Sequence, residues 1–190
     1  MNTHMSAIDA LTTRASNGKL GDPEPDAETL RLCFEAAARA PDHGTLRPWR
    51  VRIVRGEARK QLGELMARTL ARKQPQASHE ELENMRGKAL RAPLILVVGV
   101  QLTEPSKIPV IEQTLAAGAA AYAMLLTLHA RGFAAVWRTG DAAYDDETKR
   151  AFGLRQEDAL IGFIYAGTAK QPAPALLRPA PSDFVQEWTG

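Results

Sequence analysis

The run Pro93-Leu-Ile-Leu-Val-Val-Gly-Val100 contains no polar side chain, and it limits the possible folds more than any other stretch of the chain. A strand of this composition cannot leave either face in water, so it requires an inner place in a sheet covered on both sides. Val110 to Arg131 sets a second condition. It reads as one long helix whose middle, Leu115 to Leu126, is apolar nearly all round, whereas a surface helix shows a polar face. That apolar middle is shorter than the ~20 residues of a membrane crossing, so the helix is expected inside protein. Its small residues Ala116, Ala117, Gly118, Ala119 and Ala120 would let another backbone approach closely, from this chain or from a partner subunit. Gly132 supplies its stop.

The remaining elements follow from caps and periodicity. Ser6 to Thr13 reads as a short helix, and Asp26 caps a second that runs to about Ala38. Trp49 to Val54 alternates like a strand with one buried face. Leu62, Leu65, Met66 and Leu70 form one helical stripe. Ser78 and Glu81 have capping-box spacing before another helix, with Leu82, Met85 and Ala89 on its inner face. These two helices form a lid or outer layer, and the charges from Arg68 to Glu83 are expected to be their solvated faces. Phe133–Trp137 and Leu160–Gly167 read as strands, with a short helix from Asp145 to Phe152 between them. Beyond Thr168, Pro172, Pro174, Pro179 and Pro181 impose an extended arm, with Phe184 and Trp188 as aromatic anchors. The expected architecture is α+β: one domain over residues 1–190, a three-layer helix-sheet-helix sandwich with a mixed sheet of about four strands and an extended C-terminal arm.

Composition removes several functions. The net charge is +2, and basic residues are scattered among acidic ones along the chain, which gives no support to nucleic-acid or membrane-surface binding. The single Cys33 excludes an intrachain disulfide and shares an apolar stripe with Leu30, Phe34 and Ala37, so it reads as a core thiol. The N-terminal residues around Asp9 lack a basic-then-apolar leader, which makes a reducing cytoplasm the expected location. His4, His43, His79 and His129 lie too far apart to form a local metal motif, and no metal site is expected. Neither a dinucleotide fingerprint nor a P-loop occurs.

Chemistry is concentrated in Arg39-Ala-Pro-Asp-His-Gly-Thr-Leu-Arg-Pro-Trp49. Its prolines bias the chain toward extended backbone, which makes the loop short and stiff. His43 and Asp42 could equally form a simple turn there. Arg14-Ala15-Ser16-Asn17-Gly18-Lys19 combines a cation, a hydroxyl and a glycine that could wrap an anion such as phosphate, or could be a solvated turn.

Three separated pieces, Arg14-x-Ser16, Arg39-Ala-Pro-Asp-His43 with Arg47-Pro-Trp49, and Trp137-Arg-Thr-Gly140, together resemble the FMN-dependent nitroreductase family, in particular its short single-domain YdjA-type subgroup. The resemblance implies a homodimer with two FMN sites at the subunit interface. It assigns Arg14, Ala15 and Ser16 to the phosphate end, Arg39 and His43 of the other subunit to the ring and ribityl chain, and Trp137, Arg138 and Thr139 to the rest of the pocket. It also implies a nicotinamide contact along Thr127, Leu128, His129, Ala130, Arg131 and Gly132, of which Leu128 reads as core. No side chain is implied as catalytic: hydride would pass from NADH or NADPH to flavin N5 and on to a nitroaromatic or quinone-like oxidant, by a ping-pong mechanism. Reductive removal of a substituent, flavin fragmentation and a non-catalytic flavin-binding dimer are the alternatives on this fold. Gly18 occupies a position where many members carry lysine, and Thr45 and Arg47 stand where larger members favour Asn and Gln. Arg14 and Arg47 are the candidates for steadying the reduced flavin's charge.

Overall fold

The computed structural model describes residues 5–190, so His4 lies outside the described residues. Five strands form one sheet: Leu20–Gly21 (β1), Trp49–Arg55 (β2), Leu94–Val100 (β3), Ala134–Arg138 (β4) and Ala159–Ala169 (β5). β3 is buried along its whole length between β2 and β5, as its apolar run requires. β5 pairs with β1, β3 and β4. All four pairings are antiparallel, so the mixed sheet of about four strands is corrected to an antiparallel sheet of five. The physical reason lies in β5. β3 and β4 run the same way, but both pair with Phe163 to Ala166 of β5, which therefore separates them. β1 is only two residues long and carries no periodicity to read.

Side chains of β3 alternate between two cores, as a strand's period of two dictates. Leu94, Leu96 and Val98 pack with Cys33, Met124 and Leu128, under α2 (Ala27–Ala37) and α5 (Val110–Ala130). Ile95 and Val97 pack with Leu62, Met66 and Phe163, under α3 (Ala58–Lys73). α4 (His79–Lys88) lies against α3 and begins with the expected capping box: Ser78 Oγ accepts the Glu81 N–H, and the Glu81 carboxylate accepts the Ser78 N–H. α1 (Ala7–Thr13) is capped by Ser6 and α6 (Asp146–Ala151) by Asp145. The charged run beginning at Arg68 is more than a solvated face. Arg68 and Arg72 pair with Glu147, Arg72 also with Asp145, and Lys73 with Asp141, tying α3 to the segment that follows β4.

α5 has 21 residues and by length and composition alone could cross a membrane, so its apolar character extends beyond the middle read from sequence. One stripe, Ala117, Ala120, Ala121, Met124 and Leu128, is fully buried against the sheet and α2. The opposite stripe is apolar and open: Ile111 is 62% exposed and Leu115 64%, with Tyr122 on the same side. The arm leaves the body after β5 and is exposed from Lys170 onward. Phe184 and Trp188 therefore find no seat on their own chain.

Candidate functional site

The loop after α2 is shaped by its own polar groups. Asp42 Oδ2 accepts the Arg47 N–H at 2.7 Å and so holds Gly44, Thr45 and Arg47 at φ of 72°, 52° and 50°, a region that L residues seldom enter. This gives Asp42 a conformational role. The loop directs His43 to the start of α5, where His43 Nδ1 lies 2.6 Å from Glu112 Oε2. That contact occupies one ring nitrogen and leaves Nε2 available.

The Arg14–Lys19 turn is fixed by Asn17, which is buried. Its N–H donates to Ala135 O at 3.0 Å, its Nδ2 to Gln171 O at 2.7 Å, and its Oδ1 accepts the Lys19 N–H at 2.9 Å. Asn17 thus ties the turn to β4 through its backbone and to the root of the arm through its side chain. Just before it, Thr13 Oγ1 sits 2.9 Å from His129 Nε2 at the far end of α5. Burial, and then the charge of Arg14, lower the His129 pKa.

A cleft of ≈ 780 Å³ opens between α3, α4 and the end of β4. Met66, Leu70 and Met85 give it apolar walls, Lys88, Arg91 and Arg138 supply charge, and Trp137 borders it at the end of β4. Arg91 and Arg138 also line an adjoining recess of ≈ 860 Å³ formed by Ser16–Leu20 and the root of the arm. Trp137 is held by an Nε1–H bond to Ile161 O at 3.0 Å. The neighbouring Gly162 has φ 144°, and a Cβ there would fall 2.5 Å from both Trp137 Nε1 and Arg138 O, so only glycine lets β4 end this close to β5.

The electrostatics are one-sided. Among the described residues, Lys19, Lys88, Arg91, Arg138 and Lys170 form no ion pair, and the cleft's carboxylate, Asp141, is held by Lys73 at 2.6 Å. Basic residues that look scattered along the sequence therefore converge in the fold, and unpaired guanidinium and ammonium groups recruit anionic oxygen.

The structure divides the residues singled out from sequence. Trp137, Arg138 and Thr139 line the cleft and Ser16 the adjoining recess, with Arg138 common to both. Arg14, Ala15, His129 and Gly132 line another recess, which meets that of Ser16 at Asn17. Arg39 and His43 lie apart, on the exposed loop by Glu112. Leu128 is core, Thr127 bonds back to Ala123 O, and Ala130 and Arg131 lie at the end of α5, Arg131 exposed. Arg47 sits with the His43 loop and lines neither part of the cleft, which removes it as a partner for a ligand charge in the same chain's cleft. Lys88, Arg91, Lys170 and Tyr165 are the cleft residues that sequence reading missed. The signal for two of them was faint: Lys88 and Arg91 flank a helix end, where a cation ordinarily complements the dipole.

Residues 11–168 match the nitroreductase family. The chain is 32% identical over 182 residues to the Escherichia coli protein named "Putative NAD(P)H nitroreductase YdjA", covering 95% of this chain and 98% of that one. The fold is similar to a nitroreductase-like family protein from Bacillus cereus, with a TM-score of 0.84, 22% identity and full coverage of both chains. It is also similar to a point mutant of the FMN and NADPH-dependent nitroreductase NfnB from Sphigopyxis sp. strain HMH, at a TM-score of 0.74 and 24% identity over 97% of this chain and 99% of that one. Matched over most of its length in sequence and throughout in fold, the chain belongs to the nitroreductase family.

Proposed function

We propose that this protein is an FMN-dependent oxidoreductase that uses NADH or NADPH to reduce small oxidants of the nitroaromatic or quinone class, and that it works as a homodimer with composite sites. The observation that carries the reading is the separation of the two site halves by α5. Glu112, with His43, and His129, with the Arg14 turn, are 17 residues apart on that helix, so they lie about 25 Å apart at ~1.5 Å per residue. A twofold axis that sets two α5 helices antiparallel brings one chain's His43 loop to its partner's Arg14 turn. The open stripe of Ile111, Leu115 and Tyr122 supplies an apolar face for that pairing, and the unseated Phe184 and Trp188 give the arm a reason to cross to the partner.

The residues present suit FMN. Met66, Leu70 and Met85 offer apolar contact to a ring system, while Ser16, Lys19 and Arg138 offer a hydroxyl and cations to a phosphate. When bound, FMN supplies the two-electron transfer between nicotinamide and acceptor, each taking its turn in a ping-pong cycle. The chain's own residues bind and orient. Lys88 sets a positive charge on the ring side of the cleft, and α3 and α4 roof it against water.

Purified protein mixed with FMN should retain one flavin per chain, and NADH or NADPH should bleach the flavin absorbance without oxygen. Failure to take up FMN sinks the cofactor reading. Uptake without bleaching by either nucleotide leaves a flavin-binding dimer that does not turn over.

A further inference from the structure

Tyr165 on β5 lies between Ile95 of β3 and Val136 of β4 and is 4% exposed. Its ring is packed in the core with Met66 and Ile95. Its hydroxyl makes no hydrogen bond to a described residue, yet it is not among the sealed polar atoms of the core; the residue lines the cleft beside Arg91 and Arg138. A buried tyrosine normally finds a partner for its O–H, and packing alone would be served by phenylalanine. Burial pushes the phenol up to about 12, with Arg138 and Arg91 pulling it partway back, so at neutral pH it is an uncharged donor. The partner it lacks is an acceptor oxygen, and Lys88, Arg91 and Arg138 favour one that bears negative charge.

We infer that Tyr165 is a further cofactor-binding residue, its phenol donating a hydrogen bond to a carbonyl oxygen of the flavin ring alongside Lys88. The assignment rests on the FMN reading above. The ring is the part of the cofactor addressed because Tyr165 lines the portion of the cleft walled by Met66, Leu70 and Met85, and it does not line the recess of Ser16–Lys19. A phosphate contact would call for a place in that recess.

The test compares wild type with Tyr165→Phe for binding of FMN and of riboflavin, which lacks the phosphate, and for melting of the apo-protein. Both flavins should bind about tenfold more weakly to the variant, the loss of one productive hydrogen bond. The variant apo-protein should melt at the same or a higher temperature, because the hydroxyl opens on the cleft and bonds no described residue of the chain. That combination separates a binding residue from a structural one. Unchanged affinity for both flavins would overturn the inference, and so would a loss confined to FMN, which would assign Tyr165 to the phosphate. Lower apo stability with undiminished affinity would make it a structural tyrosine. If the wild type binds neither flavin, the FMN reading itself falls and takes this role with it.

Discussion

Arg138→Glu is expected to weaken FMN binding roughly 100-fold while the apo-protein melts no lower than wild type. Arg138 is exposed, makes no side-chain hydrogen bond among the described residues and lines both parts of the cleft, so the free protein loses nothing by its removal. It also stands among four other unpaired cations, Lys19, Lys88, Arg91 and Lys170, whose mutual repulsion an acidic residue would relieve. A hydrogen bond between charged groups contributes about 1.5–3 kcal/mol, and tenfold in affinity is about 1.4 kcal/mol. Reversal of the charge places the effect at the upper end of that range. Arg138→Lys keeps the charge and loses the fork, so it should fall between the two. Flavin fluorescence quenching gives the affinities. A wild-type affinity in Arg138→Glu would show that the cation cluster does not face the cofactor.

The largest stability loss is expected at Asp158, away from the cleft. Its carboxylate is fully buried and accepts the Leu102 N–H at 2.9 Å, the Arg155 N–H at 2.8 Å and the Arg155 guanidinium at 2.7 Å, while Arg155 Nη2 also donates to Leu102 O. The cluster fastens the chain leaving β3 to the turn that begins β5. Asp158→Ala leaves a buried N–H and a guanidinium without their acceptor, a loss of about 3 kcal/mol, since breaking a buried pair commonly costs ~3–5 kcal/mol and Arg155 is half in solvent. Urea unfolding should report this with an unchanged slope. Burial raises the Asp158 pKa, but the hydrogen bonds from Arg155 and Leu102 outweigh it and hold the group below the ordinary carboxylate value of 3.8. A folded-state pKa below the unfolded one means that this stabilisation is complete above the unfolded value and fades as pH falls through the folded one. Asp158→Asn should therefore flatten the acid limb of the stability profile below about pH 4. An acid limb identical to wild type would contradict the assignment.

What the sequence revealed of the fold follows the range of the forces involved. Asp26, Ser78 and Glu81 act within one helical turn, and their caps appear as spacing predicts. The β3 run encodes burial on both faces in its composition alone. Strand direction is a long-range property: β5 between β3 and β4 converts an expected mixed sheet into an antiparallel one, and no local pattern records it. The candidate site divides in the same way. Arg14, Ser16, His43 and Trp137 stand in recognisable motifs. Lys88, Arg91 and Lys170 come from a helix end, a turn and the root of the arm, and only folding shows that they share one cleft without carboxylate partners. Tyr165 sits in an apolar strand and reads as core, because its ring is core and only its hydroxyl is not.

The composite site is the central claim, and its most direct measurement uses two defective variants. Arg138→Glu disables the half at the end of β4, and His43→Ala disables the half at the start of α5. Each variant alone should bind FMN poorly. Mixed in equal amounts under conditions shown to exchange subunits, half of the dimers become heterodimers, each with one intact site, so about a quarter of wild-type FMN sites should return. No recovery in proven heterodimers would contradict the account, because both residues would then serve one site from the same chain.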